Sequence, residues 1–153
     1  MYQRILVPID GSDTSKLGLE ESIQLAKSTG GRLRLIHVID DLSLALAMDG
    51  YSGHPGKWLN ELRAEGARIL QDAADVALQS GIIVDTKLKE HFKGTVSELV
   101  IAEAQGWSAD LIVIGTHGRR GLGRIVLGSC AESILRNSPI PVLLIRSPQS
   151  VNA

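Results

Sequence analysis

Two short, wholly apolar runs, each followed by a turn and then by a helical pattern, most constrain the fold of this chain. The first run is Ile5–Ile9 and the second is Leu111–Ile114. A strand made of apolar residues throughout is buried on both faces, which is typical of a parallel sheet covered by helices. The alternation of such strands with helices predicts an α/β fold, a three-layer sandwich around a mainly parallel five-stranded sheet.

Further segments continue this alternation. Ile82–His91 alternates between apolar and charged residues, so we expect it near a sheet edge. The doubly wound strand order 3-2-1-4-5 would place the first and fourth strands side by side, with their carboxyl ends flanking one cleft. The predicted helices cover about 14–28, 57–80, 95–106 and 129–136, the remaining strands cover 33–39 and 141–146, and a long loop or flap covers 40–56.

Helix ends are marked by recognisable capping residues. Gly30 and Gly31 end the first predicted helix, as a glycine C-cap does. Thr95-Val-Ser-Glu98 is a capping box before an apolar helical face. Ser129-Cys-Ala-Glu132 has the same form, so Ser129 is the predicted N-cap of the last helix.

The size and charge of the chain indicate a single domain over residues 1–147, with a short tail over 148–153. The 153 residues carry a net charge of −1, which gives no overall field for nucleic acid or a membrane surface. The single cysteine, Cys130, excludes an internal disulfide. No signal peptide is recognisable, and no apolar run approaches about 20 residues. We therefore expect a cytoplasmic protein.

A glycine-rich, basic segment follows the second apolar run. It spans Gly115–Ser129 and contains three arginines and a histidine, while no acidic residue lies between Leu111 and Ala131. A strand, a glycine-rich loop and a helix start are the arrangement that binds phosphate, because backbone N–H groups and the helix dipole point at the anion. The alternative is a flexible loop followed by an ordinary capped helix.

The spacing in this segment matches neither common phosphate fingerprint. No Gly-Lys-Ser/Thr follows, and the dinucleotide pattern belongs after a first strand. The spacing that remains is Gly115, two residues, Gly118, nine residues, and then Gly128 and Ser129. The backbone of Ser129 and Cys130 is a better phosphate ligand than the Ser129 hydroxyl. Among the charged side chains we favour those that adjoin Gly118, namely His117 and Arg119, over Arg120 and Arg124.

A second candidate region lies where the first strand ends. Asp10-Gly11-Ser12 reads either as a turn followed by a helix cap, or as a carboxylate that could bond a ribose hydroxyl, an adenine amine or a metal-bound water. Pro8 lacks a backbone N–H, which suits strands that diverge around a cleft. Val38, at the end of the second strand, could offer backbone groups to a purine.

Other chemistries are not supported by the sequence. Cys130 could be a reactive thiol at a helix start, but a small buried residue is the simpler interpretation. His37, His54 and His91 have no metal-ligand spacing, and no Ser-His-Asp or paired-carboxylate arrangement is recognisable. A phospho-receiver domain would need an aspartate at the end of the third strand, where Lys89-Glu-His stands instead.

Over essentially its whole length the chain resembles the universal stress protein family. The resemblance is carried by Arg4–Ser12, His37-Val38, Ala109–Gly115 and Pro139–Leu144. The Gly-2x-Gly-9x-Gly-Ser spacing matches the nucleotide-binding branch of that family. The resemblance implies an adenine nucleotide α-hydrolase-like, Rossmann-like fold that binds ATP, with Mg²⁺ as its expected companion.

The resemblance also implies positions for the nucleotide. Pro8 and Ile9 would line the base pocket, and Asp10 and Val38 would meet the adenine and ribose. The phosphates would be wrapped by the end of the fourth strand, the glycine-rich segment and the start of the last helix, which places Ile114, Gly115, His117, Gly118, Arg119, Gly128, Ser129, Cys130 and Ala131 at the site.

The family resemblance implies a homodimer, for which the last strand gives an independent argument. Val142–Ile145 is apolar on both faces and is expected at a sheet edge, where an exposed apolar strand invites pairing. Antiparallel addition across a two-fold axis would cover it. Leu144→Lys is therefore expected to produce monomers.

A phosphate site without an evident catalytic base favours a regulatory, stress-response ATP-binding module that is read by a protein partner. The alternative is an enzyme on the same fold, either a slow ATPase or a nucleotidyl-transfer enzyme. Enzymes of the latter kind carry Ser-Gly-Gly-x-Asp-Ser after the first strand, and Asp10–Ser15 only faintly resembles it.

Overall fold

The computed structural model describes residues 1–40, 55–91, 94–116 and 127–147. Strands and helices alternate along these residues as predicted. Most of the expected loop or flap over 40–56, from residue 41 to residue 54, lies outside the described residues. The tail over 148–153 also lies outside them. The elements are β1 Arg4–Pro8, α1 Asp13–Thr29, β2 Arg32–Asp40, α2 Pro55–Gln79, β3 Val84–His91, α3 Val96–Gly106, β4 Leu111–Gly115, α4 Ser129–Asn137 and β5 Val142–Ile145.

The five strands form one parallel sheet in the order β3-β2-β1-β4-β5, which confirms the predicted topology. The β1–β2 register runs on as far as the Pro8–Ile36 pair. The β1–β4 register joins Ile5 with Leu111 and Leu6 with Ile112, in the first half of each strand. From β1 the chain adds β2 and β3 on one side of the sheet and then returns to add β4 on the other side of β1. The topological switch point therefore lies at the carboxyl ends of β1 and β4.

The two faces of the sheet are covered by different helices. Ile5 and Val7 belong to the core beneath α1 and α2, while Leu6 belongs to the core beneath α3 and α4. All three side chains are 0% exposed. Burial on alternate faces explains why the strand is apolar at every position, since each such side chain contributes roughly 1.5–3 kcal/mol when removed from water.

Two predicted helix ends are confirmed. Gly30 is the C-cap of α1 with φ of 71°, a left-handed conformation that glycine adopts without a steric penalty. Thr95 is the N-cap of α3, and its capping box with Glu98 is complete in both directions. These local hydrogen bonds determine where each helix begins or ends.

Helical spacing in the sequence predicts that one face of α2 is buried, formed by Trp58, Leu62, Ile69, Ala73 and Val76, and the structure differs from this in part. Trp58 and Ala73 are buried as predicted, but Val76 is 45% exposed. Leu70 and Ala77 pack into the core instead. The face of α2 that meets the sheet is rich in alanine and glycine. These residues are only weakly apolar, so a sequence pattern based on larger apolar residues such as valine misplaces the buried face of the helix.

A charge cluster joins the edge strand β3 to α3. The Arg34 guanidinium donates from Nε to Asp85 Oδ1 at 2.6 Å and from Nη1 to Glu103 Oε1 at 2.9 Å, and it lies 4.6 Å from the centroid of the Trp107 ring. The hydrogen bond to Asp85 raises the pKa of Arg34 above its usual value. Arg34 lies near the start of β2, away from the switch point.

Candidate nucleotide site at the carboxyl ends of the strands

The turn that follows β1 is held by its own polar groups. Asp10 Oδ1 accepts a hydrogen bond from the Ser12 N–H at 2.8 Å, and Ser12 Oγ accepts one from the Ser15 N–H at 3.2 Å. The Asp10 N–H donates to Ser15 Oγ at 3.3 Å. Gly11 has φ of 82°, which favours glycine. The prediction of a turn and a cap at these residues is confirmed.

The end of β2 lies beside this turn. The Ile9 N–H donates to the Ile36 carbonyl at 2.8 Å, which extends the β1–β2 pairing one residue beyond Pro8. His37 Nδ1 lies 2.7 Å from the Ile9 carbonyl oxygen. Val38 is half-buried against the α3 and α4 core. Pro8, Ile9 and Asp10 therefore lie at the end of β1, and Val38 lies near the end of the adjacent strand β2, at the same edge of the sheet.

The end of β4 meets the first turn of α1. A Cβ atom on Gly115 would lie 2.8 Å from the Thr14 carbonyl oxygen and 2.9 Å from its carbonyl carbon. Gly115 is not among the glycines of positive φ. Glycine is therefore needed at position 115 for the close approach of the α1 backbone, rather than for a left-handed turn. Ile114, before it, is buried at 7% exposure.

Thr116 connects β4, β5 and the start of α4. Its N–H donates to the Ile145 carbonyl at 2.9 Å, and its carbonyl accepts from the Gly128 N–H at 2.7 Å. The side chain is 4% exposed, and Oγ1 has no hydrogen-bond partner among the described residues. An unpaired buried hydroxyl is costly, which marks a position where a ligand or an ion could supply the partner. Sequence reasoning did not single out Thr116, since only packing reveals this burial.

The predicted N-cap of α4 is wrong by one residue. Gly128 is the N-cap, with φ of −58° and ψ of 148°, and Ser129 is the first residue of the helix. The physical reason is the bond from the Gly128 N–H to Thr116, which places Gly128 just outside the helix while its carbonyl accepts from the Glu132 N–H at 2.9 Å. The Glu132 carboxylate pairs with Arg136 at 2.9 Å.

The consequence is a helix start without a side-chain cap. Gly128 carries no side chain to accept the first N–H groups, and no side chain of residues 1–40, 55–91, 94–116 or 127–147 caps the helix. Ser129 is exposed, Cys130 is half-buried and Ala131 is 3% exposed. Backbone N–H groups and the positive end of the helix dipole at such a terminus attract anions.

Three predicted ligands, His117, Gly118 and Arg119, lie in 117–126, outside the described residues. The other predicted positions lie at the carboxyl edge of three adjacent strands or at the α4 start that Thr116 joins to it. Within the described parts of the chain, no cluster of three or more histidine, cysteine or acidic side chains could hold a metal ion. Among those same residues, no helix combines the length and the apolar character that a membrane crossing requires.

Comparison with known proteins identifies related chains over nearly the full length. Universal stress protein MJ0531 of Methanocaldococcus jannaschii is 33% identical over 97% of this chain and 85% of its own. A universal stress protein family member from Burkholderia pseudomallei is 32% identical, with a TM-score of 0.76 over 95% of this chain and 97% of that one. The hypothetical protein MJ0577 has a TM-score of 0.84 at 25% identity, over 98% of this chain and 99% of that one.

Two more distant structures share the fold and contain adenine nucleotides. A universal stress protein from Archaeoglobus fulgidus in complex with dAMP is 19% identical, with a TM-score of 0.67 over 94% of this chain and 98% of that one. A universal stress protein in complex with cAMP is 24% identical, with a TM-score of 0.65 over 95% and 97%. The family model of the universal stress proteins matches residues 1–146. This chain therefore belongs to the universal stress protein family.

Proposed function

We propose that this chain binds ATP in the cleft between the carboxyl ends of β1 and β4 and acts as a nucleotide-dependent regulatory module of the stress response in the cytoplasm. The observation that carries the proposal is the start of α4. Its N-cap is a glycine, it has no side-chain cap within the part of the chain that the structure describes, and it is joined through Thr116 to the end of β4. These groups belong to the Gly-2x-Gly-9x-Gly-Ser spacing, so motif and geometry point to the same phosphate site.

The two halves of the cleft suit the two halves of the nucleotide. The phosphates would be held at the start of α4, where the helix dipole attracts anions and Ser129 and Ala131 present backbone N–H groups beside Gly128 and Cys130, with Gly115, His117, Gly118 and Arg119 completing the wrap. The Thr116 hydroxyl, which has no partner among the described residues and lies in a residue that is 4% exposed, fits a polar ligand or a magnesium-bound water. Mg²⁺, when bound with ATP, would neutralise phosphate charge.

The adenosine part would lie against the strand ends on the other side. Pro8 and Ile9 would contact the base, and Ile114 would contribute apolar surface at the end of β4. The Asp10 carboxylate and the backbone of Val38 would meet the ribose and the purine edge. Asp10 uses Oδ1 to accept the Ser12 N–H, which orients its carboxylate at the end of the strand.

The alternative is an enzyme, either a slow ATPase or a nucleotidyl-transfer enzyme. A regulatory module needs to hold ATP, whereas an enzyme must also activate a nucleophile. Turnover separates them: we expect fewer than about one ATP per minute, against about ten per second for a typical enzyme. Turnover near the enzyme value would reject the regulatory proposal.

The experiment begins with the purified full chain. Nucleotide released by denaturation is identified chromatographically, and binding of ATP, GTP and sodium tripolyphosphate is then measured calorimetrically with Mg²⁺ present. We expect ATP to bind more tightly than GTP or tripolyphosphate. If the protein does not bind ATP at millimolar ATP concentration, the proposed function is wrong.

We further propose a homodimer through the edge strand β5. Leu143 is 40% exposed, whereas Leu144 packs against the core beneath α3 and α4. Leu143→Lys is therefore the cleaner test, because Leu144→Lys would also disturb that core. Sedimentation equilibrium should show a monomer for Leu143→Lys and a dimer for the matched exposed variant Leu78→Lys on α2. A dimer of unchanged affinity in Leu143→Lys would exclude this interface.

A further inference from the structure

Helix α2 lies unusually close to the sheet at one glycine. Gly66 is buried, and a Cβ atom placed on it would lie 2.8 Å from His37 Cδ2 and 2.8 Å from Leu88 Cδ1. Real Cβ atoms do not approach neighbours this closely, so any side chain at position 66 would displace the imidazole or the helix. The helix backbone thus packs directly on the His37 ring.

The same imidazole bonds the end of β1. His37 Nδ1 lies 2.7 Å from the Ile9 carbonyl oxygen. A carbonyl oxygen can only accept, so Nδ1 carries the hydrogen and donates it. The hydrogen bonds that join Asp10, Ser12 and Ser15 are local to the β1–α1 turn, whereas the His37 bond reaches the end of β1 from β2.

A second contact from α2 reaches the same turn. The position of a Cβ on Gly11 lies 3.4 Å from Ile69 Cδ1. Gly66 and Ile69 are three residues apart, on one face of the helix. The α2 face therefore supports the turn twice, once directly at Gly11 and once through His37.

We propose that His37, held in place by Gly66 of α2, is a positioning residue that sets the Ile9–Gly11 backbone for the adenosine part of the nucleotide. The inference rests on the proposed ATP site and adds the residues that orient half of it. Neither His37 nor Gly66 is needed at the phosphates, whose N–H donors are on α4. The two halves of the ligand should therefore respond differently when this support is removed.

The first test changes the hydrogen bond. His37→Leu removes the donor. His37→Asn keeps an N–H donor, because the Asn Nδ2 atom is bonded to Cγ as the His Nδ1 atom is. We expect ATP affinity to fall about tenfold in His37→Leu, the effect of losing one well-placed hydrogen bond, and to recover to within about threefold in His37→Asn. Affinity for tripolyphosphate should be unchanged in both.

The second test leaves the histidine intact. Gly66→Ala adds the one methyl group that collides with the His37 ring, and we expect it to lower ATP affinity by about tenfold without contacting nucleotide. Gly106→Ala is the matched control, because it is also a helical glycine and no atom lies within 4 Å of the added Cβ. It should bind ATP as the wild type does.

The outcomes separate the two proposals. If the wild type does not bind ATP, the proposed function is wrong and the positioning role falls with it. If the wild type binds ATP but folded Gly66→Ala and His37→Leu bind it equally well, the positioning role alone is wrong. Equal losses for ATP and tripolyphosphate would also overturn it, because they would indicate a general loss of structure. Circular dichroism and thermal unfolding establish that each variant is folded.

Discussion

Helices α1 and α4 both begin at the carboxyl edge of the sheet, and their first turns are completed in opposite ways. At α1, the Ser12 hydroxyl accepts the Ser15 N–H at 3.2 Å, and Asp10 accepts the Ser12 N–H at 2.8 Å. At α4, the N-cap is Gly128, and no side chain in the described part of the chain caps the helix. Thr116, whose carbonyl accepts from the Gly128 N–H, has a buried hydroxyl without a partner among the described residues.

This difference separates a helix start that its own side chains cap from one that is proposed to bind an anion. Side-chain oxygens that already accept the first N–H groups compete with an incoming anion, and carboxylates repel it. A glycine N-cap leaves those N–H groups to water or to a ligand. The chain therefore stabilises the start of α1 with its own side chains, whereas the start of α4 is where we propose that the phosphates bind.

The largest expected effect comes from giving α4 the kind of cap that α1 has. Gly128→Asp places a carboxylate where phosphate is proposed to bind, at a backbone conformation that aspartate tolerates because φ is −58°. We expect ATP affinity to fall by about 100-fold or more, while the free energy of unfolding rises by about a few tenths of a kcal/mol. Calorimetry and urea unfolding measure the two quantities.

A neutral cap serves as the control for that prediction. In Gly128→Asn, the side-chain amide oxygen accepts the same N–H groups but carries no charge. The loss of ATP affinity should therefore be smaller than in Gly128→Asp. Wild-type affinity in Gly128→Asp would show that the start of α4 does not bind phosphate.

The contact between the end of β4 and the first turn of α1 is the next test. Gly115→Ala places a methyl group 2.8 Å from the Thr14 carbonyl oxygen, so the end of β4 and the start of α1 must separate. Overpacking of this kind costs about 1–3 kcal/mol of unfolding free energy. Gly18→Ala is the control on the facing residue, since its Cβ meets Gly115 N at an ordinary 3.7 Å. Similar stabilities for the two variants in urea unfolding would contradict the close approach.

Removal of the α1 cap should affect stability alone. Ser12→Ala deletes the oxygen that accepts the Ser15 N–H, at a cost of about 1 kcal/mol in the free energy of unfolding. Because α1 is not proposed to hold phosphate, tripolyphosphate affinity should stay at the wild-type value. A large loss of that affinity in the folded variant would mean that both helix starts bind phosphate.

The smallest effect is expected from replacing the buried hydroxyl of Thr116. Thr116→Val replaces it with a methyl group of similar shape, which removes the desolvation cost of a buried oxygen. We expect the ligand-free protein to gain about 0.5–1 kcal/mol in thermal or urea unfolding. A loss of similar size would show that the hydroxyl has a structural partner.

Much of the fold followed from patterns that are local in sequence. The wholly apolar Ile5–Ile9 run indicated a strand buried on both faces, and Gly30 and Thr95 were recognised as caps from their neighbours alone. The N-cap of α4 could not be predicted in this way, because the choice between Gly128 and Ser129 depends on a hydrogen bond from Gly128 to Thr116, twelve residues earlier.

The order of strands and helices, the positions of the turns and the glycine spacing are therefore properties of the sequence, since each depends on residues that are close along the chain. The open start of α4, the burial of Thr116 and the packing of Gly66 on His37 arise only when the sheet and helices come together. Each involves atoms from segments far apart in sequence, whose distance is set by packing rather than by local preference.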